Sequence, residues 1–175
     1  MADSLYNANH PRLLFDQSEI PALQQKVRNG GYDDVAYDYI RNIVHAIYPT
    51  KTELEMMEDT FGINVAPNLG LVACLEIPPD PLADERGRQW TLFIADNYDP
   101  DDNVFYSPLR MRALAFGYDM FFGDSPDSIR SYVRDEILAY MDTTMTVFQY
   151  ERWLHHPYVS NISSMIGSAL GIAAI

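Results

Sequence analysis

Apolar residues recur at every third or fourth position in one block of this chain after another, and proline or glycine stands between the blocks. That spacing belongs to amphipathic helices, whose successive turns bring such positions onto one face. Ile20, Leu23 and Val27 form the first stripe. It opens with the Asp-x-x-Glu capping box Asp16-Gln17-Ser18-Glu19, has Pro21 in its first turn and closes at Gly30-Gly31. A second helix is expected over 33–46, with Val35, Tyr39, Ile43 and Ile47 as its inward stripe and Pro49 as its end. Residues 51–59 are acidic and read as a short helix or a loop, with Met56-Met57 available to pack on the body. A third helix is expected from Pro67 to Ile77, where Pro78-Pro79-Asp80-Pro81 forces a break. A fourth runs from Leu82 to Asp96 with Trp90, Phe93 and Ile94 inward. A fifth starts near Ser107-Pro108 and carries Leu109, Ala113, Phe116 and Met120. The turn Gly123-Asp124-Ser125-Pro126 offers Ser125 as N-cap and Pro126 as first helical residue of a sixth helix reaching Val147. A seventh is expected from Ser160 to the last residue.

No segment competes as a strand. There is no Asn-Gly hairpin turn and no sustained apolar–polar alternation. Short loops between helices make sequential neighbours antiparallel. The expected fold is therefore all-α, a single helical domain over residues 1–175 built from antiparallel helix pairs, at a rhythm that suits part of an (α/α) toroid. The apolar end Leu170-Gly171-Ile172-Ala173-Ala174-Ile175 has no cap and no polar tail, so the chain is expected to be the first part of a longer protein. The alternative is a terminal helix buried as it stands.

Composition narrows the partners. A chain of 175 residues, 47% apolar and 21% charged, can bury a sizeable core. Its 12 basic against 25 acidic residues leave a net charge of −13. Nucleic acid needs clustered cations and an anionic membrane surface attracts them, so neither is an expected partner. The single cysteine, Cys74, excludes an internal disulfide and a Cys-rich zinc site. No apolar run is long enough to span a bilayer. Neither a metal nor a cofactor is expected. Asp99-x-Asp101-x-Asn103 opens like a calcium loop, but Val104 and Arg110 replace its glycine and its glutamate, leaving a solvated acidic loop. Gly167-x-x-x-Gly171 reads as close helix packing.

One stretch concentrates chemistry. Between Tyr150 and Asn161 the chain carries Arg152, Trp153, His155, His156 and Tyr158. Aromatic faces stack on sugar rings, a guanidinium forks onto a carboxylate, and imidazole or phenol moves protons. The histidines are adjacent and so are poor joint metal ligands. Their plainer role is a surface turn ending at Pro157, and that of Asn161 is a helix cap.

The opening block His10-Pro11-Arg12-Leu13-Leu14-Phe15, followed by a capped helix with Ile20-Pro21-Ala22-Leu23, resembles the start of heparinase II/III-like and related alginate lyases. The stretch Ala113-Leu114-Ala115-Phe116-Gly117-Tyr118-Asp119 with Ser125-Pro126 resembles that family's A-x-A-Y-D helix and the turn after it. Ser160-Asn161, followed by small and apolar residues to Ala173, resembles the helix that opens with its asparagine motif. The resemblance implies an incomplete (α/α) toroid, completed by further helices and a β-sandwich of the same protein. It implies β-elimination on an acidic, uronic-acid polysaccharide, in a periplasmic or extracellular setting. Asn161 matches the asparagine that neutralises the uronate carboxylate, with Arg152, Trp153, His155, His156 and Tyr158 as substrate-binding neighbours. Many relatives place histidine directly after that asparagine, where this chain has Ile162. The family's catalytic tyrosine and later histidine fall beyond Ile175, so these residues alone are expected to be inactive. The alternative expectation is a non-catalytic helical module that binds glycans or proteins.

Overall fold

The computed structural model describes residues 13–60, 64–97, 106–123, 125–150 and 168–173. Among these residues the fold is an all-α bundle of antiparallel helices with no strand. A 3-10 turn, Gln17–Glu19, leads into α1 (Ile20–Lys26). The expected capping box forms: Asp16 Oδ1 accepts from the Ser18 amide at 2.9 Å, and the Asp16 amide donates to Glu19 Oε2 at 2.7 Å. Gly30 follows α1 with φ of 69°, a left-handed conformation that costs glycine nothing. Helix α2 (Tyr32–Asn42) widens into a π-turn, Ile43–Ile47, and then tightens into a 3-10 turn, Tyr48–Thr50, around Pro49. Next come α3 (Glu53–Thr60), α4 (Val65–Leu75), α5 (Pro81–Asp96), α6 (Tyr106–Phe121) and α7 (Asp127–Tyr150). Residues 168–173 are again helical, and Ala169 is buried.

The core lies where α4, α5 and α6 pack on one another, with α7 laid along α6. Val65, Leu69 and Val72 of α4 meet Trp90 and Ile94 of α5 and Met111 and Leu114 of α6, all essentially inaccessible to water. Helix α6 is apolar on nearly every side and therefore sits in the middle. Two glycines let it approach α5 closely. A Cβ at Gly117 would lie 2.2 Å from Thr91 Oγ1, and one at Gly87 would lie 2.1 Å from the Phe121 ring. The far end of α4 is capped by side chains of α1 and of the turn that follows it. Gln24 Nε2 donates to the Cys74 carbonyl at 3.0 Å, and Arg28 Nη2 to the Leu75 carbonyl at 2.7 Å.

Two local expectations are corrected. Val35 and Tyr39 face water, each 69% exposed, whereas Tyr37, Val44 and Tyr48 are buried. Partners distant in sequence set this rotation. The Tyr37 hydroxyl reaches Glu76 Oε1 at 3.1 Å and Arg41 Nε pairs with the same oxygen at 2.8 Å, so α2 turns that side toward the end of α4. Ser125 is not the cap of α7. The Pro126 carbonyl accepts from the Arg130 amide at 3.1 Å, while Ser125 Oγ accepts from Arg88 Nη1 at 2.7 Å. The guanidinium of Arg88 recruits the hydroxyl across the bundle, and proline takes the capping position.

Candidate functional site

Arg152, Trp153, His155, His156, Tyr158 and Asn161 lie outside the described residues. What the described residues bring together is the ground on which two other parts of the chain meet. The opening segment reaches the central helix through its backbone: the Leu13 amide donates to Asp119 Oδ2 at 2.8 Å, across 106 positions of sequence. Asp119 is 2% exposed and sits near the end of α6, which the bundle holds on several sides. Burying a carboxylate is costly unless hydrogen bonds meet it, and the charge-assisted bond from Leu13 is of the stronger kind. Phe15, two residues on, is buried in the core beside it in sequence, so the opening segment is fixed by one polar and one apolar anchor.

Around this seam the chemistry is restrained. Cys74, at the end of α4, has its thiol pushed up to about 11, first by burial and then by the negative charges of Asp84 and Asp119. It stays protonated at neutral pH and is no nucleophile there. Asp84 is engaged by Arg88 Nε at 2.9 Å, and the Arg88 guanidinium lies 5.8 Å from the centre of the Phe122 ring. His45 Nε2 stands 3.5 Å from Asp80 Oδ2. No three His, Cys, Asp or Glu side chains among the described residues gather as a metal site would require. Arg110 and Arg112 are half-buried on α6. Arg110 Nη1 donates to the Asn97 carbonyl at 3.5 Å, and Arg112 lies over the Phe116 ring at 5.5 Å. No described helix is long and apolar enough to cross a membrane.

A second feature was not foreseen. The π-turn of α2 opens a cleft of about 390 Å³ against α3 and the start of α4. Ile40, Ile43, Ile47 and Met56 form its apolar wall. Its polar side holds Tyr48, whose hydroxyl accepts from Asn68 Nδ2 at 2.9 Å. π-turns of this kind are frequent at functional positions. The signal that could have found it is the run of Ile43, Ile47 and Tyr48 just before Pro49, too apolar for a helix end facing water.

No family model, no curated protein and no solved structure matches this chain.

Proposed function

We propose that this chain supplies the opening helices of an (α/α) toroid in a lyase that cleaves uronic-acid polysaccharide by β-elimination. One hydrogen bond carries the proposal. Leu13 belongs to the first block that resembles the heparinase II/III-like and alginate lyases, and Asp119 ends the second. The fold joins these two segments at 2.8 Å through a buried carboxylate, an arrangement in keeping with their belonging to one unit. The antiparallel pairing of sequential helices is the layer from which such a toroid is built.

In the proposed reaction a base removes the proton at C5 of the uronate. The electron pair left behind forms the C4–C5 double bond, the C4–O bond breaks, and the departing sugar oxygen takes up a proton. Negative charge builds on the carboxylate as the C5 proton leaves, so preorganised donors there lower the barrier. Asn161 is assigned that role, since its amide donates without adding a negative charge. Trp153 and Tyr158 provide ring faces for the sugar. Arg152, His155 and His156 provide cationic or neutral donors for an anionic polymer. The rest of the toroid and the β-sandwich of the same protein would supply the base.

The test is the full-length gene product mixed with alginate and with heparin-type polymers. A β-elimination leaves a conjugated unsaturated uronate that absorbs in the ultraviolet. A rise in absorbance proportional to enzyme concentration is the expected result, with none from residues 1–175 alone. A full-length protein that produces no rise on any uronate polymer would overturn the proposal.

A further inference from the structure

Helix α2 carries an apolar face that no described residue covers. Tyr32, Val35 and Tyr39 follow one another at helical spacing and are 87%, 69% and 69% exposed. Continuing at intervals of four, the same line reaches Ile43 and Ile47, which enter the cleft of about 390 Å³ described above. Two tyrosines and a valine on one solvent-facing helix side, running into an apolar hollow, form a contiguous patch, unlike singly scattered surface apolar residues. On one flank of the patch α2 bears Asp34 and Asp38, one turn apart, and neither pairs with a cation among the described residues.

We infer that this face is a docking surface for an amphipathic helix of a partner protein, with leucine-like side chains on its contact face and lysine or arginine along one flank. The stripe supplies the long apolar contact that helix-in-groove recognition uses, and the cleft supplies the pocket for one anchoring side chain. Charge selects the occupant. The carboxylates of Asp34 and Asp38 complement a basic flank. A second copy of this chain would bring its own net −13 and the same aspartates to the interface. Tyrosine is the residue type that gives an interface large contact area at low entropic cost, and its hydroxyl keeps the uncovered face soluble.

The test of this inference needs no catalysis. The probe is a synthetic helix of about five turns with leucines at helical spacing and lysines on one flank. Two controls accompany it: a peptide of the same composition in permuted order, and one with glutamate in place of lysine. Calorimetric titration should show the leucine–lysine helix binding and both controls failing. The double variant Val35→Ser, Tyr39→Ser alters only exposed side chains, so it should keep its unfolding temperature and lose about tenfold or more in affinity. Asp34→Asn with Asp38→Asn should weaken binding and flatten its dependence on salt. Equal affinity of the double serine variant, or equal binding of the permuted peptide, would overturn the inference. So would a wild-type dimer in sedimentation that becomes monomeric in the serine variant, because the occupant would then be a second copy.

Discussion

Replacing Gly117 with alanine puts a methyl group into the tightest point between α5 and α6. Alanine is the better helix former by about 1 kcal/mol, so propensity alone predicts stabilisation. The geometry predicts the opposite. The new Cβ would lie 2.2 Å from Thr91 Oγ1, 2.6 Å from its Cγ2 and 2.9 Å from its Cβ. Thr91 is fully buried and β-branched, so its side chain has few places to go. Its hydroxyl also donates to the Gly87 carbonyl at 2.8 Å, and a rotamer change would break that bond. Overpacking costs about 1–3 kcal/mol. A lost buried hydrogen bond adds about 1 kcal/mol. After the propensity gain, Gly117→Ala should destabilise by about 1–3 kcal/mol. For a chain of this size each kcal/mol lowers the melting temperature by about 2–4 °C. Urea unfolding followed by circular dichroism gives the value. Thr91→Ala removes the two nearest atoms, so in the double variant the penalty should shrink by more than about 0.5 kcal/mol of coupling. A Gly117→Ala protein as stable as wild type, or more so, would refute the close approach of these helices.

Other consequences follow from the same contacts. Asp119→Ala leaves the Leu13 amide without its acceptor and should cost about 1.5–3 kcal/mol, read as lost stability and faster hydrogen exchange at Leu13. Cys74 should react with iodoacetamide at pH 8 about 100-fold more slowly than an unstructured cysteine, because a pKa raised from 9.0 to about 11 removes two decades of thiolate. The same shift has a sign for stability. Between about pH 9 and 11 the folded chain holds a proton that the unfolded chain has released, so stability falls as pH rises through that window. Thermal unfolding at stepped alkaline pH, compared with Cys74→Ser, isolates this contribution.

The helices and their punctuation were legible because each stripe is a local property. The capping box at Asp16 and the inward Trp90 and Ile94 needed nothing beyond their own neighbours, and the break at Pro78–Pro81 was legible too, although the helix before it runs Val65–Leu75 and ends two residues short of Ile77. The face of α2 was not legible. Apolar residues occupy both of its sides, Val35 and Tyr39 on one and Tyr37 and Val44 on the other, so periodicity alone does not say which is buried. The choice is made by Glu76, which lies 39 positions from Tyr37 in sequence. Ser125 failed for a similar reason: its hydroxyl answers Arg88 on another helix before it answers its own. Asp119 stood within a block that resembles a lyase motif, but no local pattern announces that its carboxylate receives the backbone of the opening segment. The π-turn of α2 also escaped, because five residues wound a little wider keep the same apolar character as an ordinary turn.

The most direct test of the proposed chemistry is the turnover of the full-length protein carrying Asn161→Ala, on the uronate polymer that the wild type cleaves best. If Asn161 neutralises the substrate carboxylate, its loss should cut turnover by about 100-fold or more, as loss of an oxyanion-hole donor does, with an unfolding midpoint close to wild type. If Asn161 only caps a helix, the variant should lose about 0.5–2 kcal/mol of stability and the folded enzyme should turn over normally. Normal turnover by the Asn161→Ala enzyme would contradict the account.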